Sequence, residues 1–428
     1  MRRSIGFPLL ACWLTVACAS PPIPATPASP APTPVTASPG PPAASLAAAV
    51  PSPPSRAVVR EQPAEASCDR SILIGMFASP APPASEPVVQ PAWTAIQPGA
   101  ALTSLAISPD GRHLATAAGD ASSTNTAVQL WSAIGVREAT LAGSAPTTCL
   151  AWSPDGAILA AGGRDGRVRL WDRAGRLLHT LAGPDPVLGL AWSPDGQVLA
   201  VATVRVAGVT GPVVLPGTVR LWRADGALQR TLATQLGTGG KFLDVAWSPD
   251  GSLIAAGAVD YYVWRADGMP AGTLRAGSPP AWAMAWSPDG TTIAIGDENG
   301  ELDIVTPSGA AVASRSLAGD VNALSYSPDG AWLAIGQSAR VSLVRPADIS
   351  HVVWFTTPAD EGSAVWSPDG RSVAIGATDG IAAYTADGVP EAMLAGCRGT
   401  PSAFSWSASL VAAVTDQGRL CAWHAPVG

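Results

Sequence analysis

The sequence predicts an all-β fold: a ring of eight four-stranded antiparallel sheets (seven as the alternative), closed by an N-terminal strand that completes the C-terminal sheet. Three observations carry this. The tetrapeptide Ser-Pro-Asp-Gly occurs seven times, at 108–111, 153–156, 193–196, 248–251, 287–290, 327–330 and 367–370. The spacings of 45, 40, 55, 39, 40 and 40 residues mark a stacked or radial repeat. Finally, 44 Gly and 42 Pro make up about a fifth of the 428 residues, against roughly 12% in average proteins, which leaves little room for long helices.

Each unit reads as four short strands, clearest at 147–183. Leu150-Ala-Trp-Ser153 alternates, and Pro154-Asp-Gly156 turns the chain, with proline presetting φ and glycine taking the positive φ that closes the turn. Ile158-Leu-Ala-Ala-Gly162 is apolar throughout, as a strand covered on both faces must be. Arg164-Asp-Gly166 is the next hairpin, Val168-Arg-Leu-Trp171 the third strand, and Arg176–Ala182 supplies the fourth. Eleven of the sixteen tryptophans fall at two repeat positions: 152, 192, 247, 286, 366 and 406 in first strands, and 131, 171, 222, 264 and 423 in third strands. Such placement predicts packing between neighbouring sheets. An eighth unit begins at Phe404-Ser-Trp-Ser407, 40 residues after the seventh, with Ala-Ser-Leu in place of the turn. It ends after three strands, and Pro91-Ala-Trp-Thr-Ala-Ile96 stands where a fourth would be, so a shared last sheet removes the open edges.

Leu-Ala-Trp-Ser-Pro-Asp-Gly, Leu-Ala-x-Gly, Asp-Gly-x-Val-x-Leu-Trp-Asp and Thr-Leu-x-Gly together resemble the WD40 repeat of β-propellers, over residues 88–428. Leu170-Trp171-Asp172 carries the dipeptide that names the family. The family's Gly-His pair is replaced by Gly143-Ser144, Gly183-Pro184 and Gly319-Asp320, so its hydrogen-bonded histidine network does not carry over. The resemblance implies a rigid disc that presents loops to protein partners.

Upstream of the repeats the composition changes. Arg2-Arg3 followed by an apolar run to Ala17-Cys18-Ala-Ser20 reads as a secretory signal, too short to span a bilayer. Leu14-Thr-Val-Ala-Cys18 resembles a bacterial lipobox, so residues 1–17 are expected to be a signal peptide and Cys18 a lipidated N-terminus. Cleavage after Ala19, releasing a soluble protein, is the alternative. Residues 18–87 form a Pro/Ala-rich linker, with 13 prolines in the 36 positions 21–56, and such a segment favours extended polyproline II. The propeller itself is assigned to 88–428.

Net charge is −7, and Lys241 is the one lysine, so no basic footprint exists for nucleic acid or anionic lipid. No cofactor is expected and no metal set is found. His113, His179, His351 and His424 lie in different units, and no H-E-x-x-H, G-x-S-x-G or phosphate loop appears. An enzyme is therefore not expected.

Strand alternation places the Ser-Pro-Asp-Gly turns and the third-to-fourth hairpins on one uniform face. The second-to-third and fourth-to-first connections share the other, variable face, which holds the enlarged loops Asp120–Ala127, Thr203–Gly217 and Thr234–Lys241. Insertions of this kind often collect on a binding face, so Asp120, Arg205, Lys241, Asp297, Glu298, Asp360 and Glu361 are the candidate partner-binding residues. A cation on this acidic face, or a small ligand or reaction in the central channel, is the alternative. Cys149 and Cys421 read as small buried strand residues, and Cys68 and Cys397 as a possible disulfide. The function read from the sequence is a non-catalytic interaction platform, exported and lipid-anchored, monomeric, with an unidentified protein partner.

Overall fold

A computed structural model describes residues 87–97, 101–118, 126–141, 145–207, 213–215, 217–232, 244–257, 261–275, 281–338, 340–356, 364–377 and 379–425. Among these residues the regular structure is entirely β. It comprises eight blade sheets that share one pattern, in which successive strands pair antiparallel from first to fourth, and one separate two-stranded sheet. In blade 2 these strands are Thr147–Trp152, Ile158–Gly163, Arg167–Asp172 and Leu177–Ala182, each within a few residues of its sequence assignment.

The turns explain why the chain repeats so faithfully. In blade 2, Ser153 Oγ donates to Asp155 Oδ1 (2.5 Å), and that oxygen accepts the Ala157 N–H (2.9 Å). Ser153 Oγ in turn accepts the Ile158 N–H (2.9 Å), while the Gly156 N–H donates to the Ser153 carbonyl (2.7 Å). Gly156 sits at φ 63°, a left-handed conformation in which a Cβ is strained. The same serine–aspartate bond recurs in all seven copies, at 2.5–2.6 Å. Each tetrapeptide is thus a self-contained hairpin that satisfies its own polar groups. The eighth unit, lacking Pro-Asp-Gly, makes a tighter hairpin in which the Leu410 N–H donates to Ser407 Oγ (3.1 Å) and the Ser407 N–H to the Leu410 carbonyl.

Between the sheets, the buried side chains sort into eight clusters, each shared by two neighbouring blades. Tryptophans of the first strand span these seams. Trp152, Trp192, Trp247 and Trp366 donate Nε1–H to first-strand carbonyls of the preceding blade: Ala106 (3.3 Å), Ala151 (3.3 Å), Ala191 (3.1 Å) and Ser325 (3.0 Å). The indole thereby joins apolar area to a hydrogen bond that a leucine cannot supply.

Ring closure follows the sequence reading. Trp93–Ile96 pairs antiparallel with Arg419–His424, giving the last blade four strands. The cluster at this seam joins Leu102, Leu114 and Trp131 of blade 1 to Leu410, Val414 and Leu420 of blade 8, with Trp93 and Ala95 packed against it. Eight blades are present, so the seven-blade alternative is excluded. The ring also gains an edge strand that was not foreseen: Val88–Val89 adds a short parallel strand to the outer edge of blade 7, on Pro390–Ala395.

The cysteine pairing differs from expectation. Cys397 bonds to Cys421, not to Cys68, which lies outside the described residues. Both partners are fully buried, with Cα atoms 5.9 Å apart. Cys421, read as an unpaired strand residue, faces Cys397 because strand alternation turns it toward the blade 7 seam, a direction visible only once the blades are assembled.

Candidate functional site

The variable face is built from hairpin tips whose acidic residues mostly serve the backbone. Asp297, a candidate site residue, is fully buried at the end of Ile293–Asp297. Its Oδ1 accepts the N–H groups of Asn299 (2.9 Å) and Glu301 (2.8 Å), which shapes the turn to Glu301–Val305. Glu298 beside it is exposed at the hairpin tip. Asp165 plays a similar part in blade 2: it pairs with Arg169 (2.8 Å) and accepts the Arg167 N–H (3.2 Å). Burial works against its charged form, but the Arg169 bond and the backbone donor outweigh it and hold the carboxyl below its ordinary pKa. Asp320 takes the Ser338 hydroxyl (3.1 Å), and Asp416 takes the Thr400 N–H (3.1 Å). These contacts turn most of the described acidic cluster into loop geometry. Among the described residues no three His, Cys, Asp or Glu side chains stand together as a metal site.

Arg205 lies in the enlarged loop of blade 3, which holds an element the sequence reading left as a loop. Arg205–Ala207 and Val213–Leu215 pair antiparallel, Arg205 opposite Leu215 and Ala207 opposite Val213. This two-stranded sheet belongs to no blade. Valines at 206, 209, 213 and 214 flanking Gly211-Pro212 were the available signal, obscured by the prolines at 212 and 216. Asp120, Lys241, Asp360 and Glu361 fall outside the described residues, as does Cys18.

Two buried glutamines tie loops to strands. In blade 1, Trp131 Nε1 donates to Thr116 Oγ1 (3.0 Å), Thr116 to Gln97 Oε1 (3.3 Å), and Gln97 Nε2 to the Ala127 carbonyl (3.1 Å). In blade 6, buried Gln337 accepts the Ser342 hydroxyl (2.8 Å) and donates to the Ala318 carbonyl (2.9 Å). An amide both donates and accepts, so it bridges strand and loop without titrating.

On the uniform face the aspartates of the Ser-Pro-Asp-Gly turns are held below the usual carboxylate range, by the serine hydroxyl first and a backbone N–H besides. Asp250 is lowered furthest, to about 2, because Ser252 adds a hydroxyl to the bond from Ser248. The exposed large apolar side chains sit mainly along the outer rim of this face, after the third-to-fourth turns: Ile134, Val136, Leu177, Leu228, Met269 and Val389.

Comparison with known protein families adds a likeness. The model described as "WD domain, G-beta repeat" matches four consecutive segments, 94–132, 135–172, 175–223 and 228–264. These segments begin in the outer strand of one blade, or in the turn just before it, and end in the third strand of the next, the offset that makes an N-terminal strand complete the last sheet. The four matched segments are similar to the WD40 repeat, and together they cover less than half of the chain. Comparison with curated proteins found no match. Among solved structures, the computationally designed protein Ika8 aligns over 79% of this chain and 99% of its own, with a TM-score of 0.63 and 18% identity. At that identity the likeness extends to the propeller fold and no further. The WD40 match reaches Trp264, and blades 5 to 8 continue the same four-stranded architecture.

Proposed function

We propose that this WD40 propeller is a non-catalytic protein-interaction platform, exported and held to a membrane by a lipid at Cys18, which presents its variable face to a protein partner. The observation that carries the reading is the hairpin Arg205–Ala207/Val213–Leu215, an element added to blade 3 that contributes to no blade sheet. Sheets that exist only to close the ring need no such addition, whereas loops set on a rigid scaffold commonly carry binding. WD40 propellers in general act as scaffolds for other proteins, and the self-satisfied acidic hairpins suit a presenting surface better than a reaction centre. The buried disulfide supports export, since such bonds persist in oxidising compartments. The proline-rich segment between Cys18 and the first strand would hold the disc off the membrane at about 3.1 Å per residue where it is extended.

The test is affinity capture from a membrane extract with the full chain as bait, beside a variant in which residues 204–217 are replaced by a short glycine turn. One protein retained by the native bait and lost with the variant, at unchanged melting temperature, is the expected result. Equal capture by both baits, or by neither, overturns the assignment of this face. Cys18→Ser tests the anchor: the native chain should fractionate with membranes and carry a diacylglyceryl N-terminus, and the variant should be released.

A further inference from the structure

Blade 8 is assembled differently from the other seven. It lacks the Pro-Asp-Gly turn that locks each of their first hairpins, and its outer strand comes from the far end of the chain. Its third strand, Arg419–His424, faces two seams, as the third strands of other blades do. Leu420 and Ala422 face blade 1 and pack with Trp93 and Ala95 of the closing strand. Cys421 and Trp423 face blade 7, packing with Leu394 and Ile381, and Trp423 Nε1 donates to the Ala395 carbonyl (3.2 Å).

The disulfide joins these relations at one point. Cys421 stands opposite Thr94 of the closing strand in the sheet register. Cys397 belongs to the connection from Pro390–Ala395 to Pro401–Trp406, where blade 7 hands over to blade 8, and its N–H donates to the Asp379 carbonyl (3.3 Å). The bond thus ties the entry of blade 8 to the strand that receives the N-terminal segment, in the blade whose first hairpin lacks the serine–aspartate lock. Both cysteines are fully buried, so an oxidant reaches them before blade 8 packs or when it opens.

We propose that the Cys397–Cys421 bond is a redox lock on ring closure: the oxidised chain holds Trp93–Ile96 on blade 8, and the reduced chain releases that blade while blades 2 and 3 stay folded. The lock forms by thiol–disulfide exchange with a small disulfide such as oxidised glutathione. The two cysteine thiols lose two protons and two electrons as the protein S–S bond forms, and the oxidant's S–S bond breaks to give two thiols. Ring closure is thereby tied to an oxidising compartment by this chain's own residues.

Hydrogen exchange read by mass spectrometry on the full chain tests this, before and after reduction with a water-soluble phosphine, which takes up the oxygen of one water as the two thiols form. Exchange in peptides covering 93–97 and 401–424 is expected to rise about tenfold or more, with 147–203 unchanged. A rise spread evenly round the ring, no rise on complete reduction, or two free thiols in the untreated protein overturns the proposal. The Cys397→Ala/Cys421→Ala chain supplies the control: its exchange at 93–97 and 401–424 should be fast with or without phosphine. A phosphine effect at those peptides that survives in this variant overturns the assignment to this bond.

Discussion

Removing the indole of Trp93 should open the ring at its seam. Trp93 is half-buried at the start of the closing strand, and its Nε1 donates to the Ala133 carbonyl of blade 1 (2.7 Å). Its ring lies so close over Gly135 that a Cβ there would approach Trp93 Cδ2 to 2.6 Å, and Gly135 itself has φ 82°. An aromatic side chain of this size buries about 200 Å²; losing roughly two thirds of it at about 25 cal/mol per Å² removes about 3 kcal/mol. The hydrogen bond adds about 1 kcal/mol. Trp93→Ala should therefore cost about 4 kcal/mol, a large share of the roughly 5–15 kcal/mol of a whole domain. Urea unfolding reads this as a lower midpoint. Trp93→Phe keeps a ring and loses the N–H, so it should cost about 1 kcal/mol plus a little area. The reasoning is refuted if Trp93→Ala costs under about 1 kcal/mol, or if the two variants cost the same.

Three further expectations follow from the same geometry. Asp297→Ala should destabilise by about 3 kcal/mol in denaturant titration, because it strips two N–H donors at a buried turn of their charged acceptor; unchanged stability would return Asp297 to the list of free binding residues. The turn aspartates have folded pKa values below that of the unfolded chain, so the stability they contribute is complete above the unfolded carboxylate value and is lost as pH falls through the folded one. The urea midpoint should hold from neutrality to about pH 4 and then decline toward about pH 2, and a flat profile to that point would contradict the serine–aspartate bonds. Cys149 packs against Gly162 and Thr148, and burial pushes its thiol up to about 11, so in the native protein it should resist alkylation at neutral pH. Site-resolved mass spectrometry finding rapid labelling at Cys149 in the folded chain would show that its strand is open.

By itself the sequence determined the local structure: the hairpins, the strand lengths, the eightfold count and the donor of the closing strand. The reason is that Ser-Pro-Asp-Gly satisfies its own hydrogen bonds within a few residues, so each copy folds the same way wherever it occurs. The degenerate turn at Ala408-Ser-Leu410 misled nothing, because Ser407 alone supplies the hydroxyl that the Leu410 N–H needs. What only the tertiary structure decided were relations between units. Whether Cys397 meets Cys68 or Cys421 depends on which side of a third strand faces which neighbouring blade, and local spacing carries no record of that. Asp297 divides between the two: its bonds to the Asn299 and Glu301 N–H groups are local to its hairpin, and only its burial came with assembly. Gln97 and Gln337 likewise gained their roles only when a loop from one unit met a strand of another. Local hydrogen bonding is written in adjacent residues, while the pairing of distant surfaces is settled by packing the whole ring.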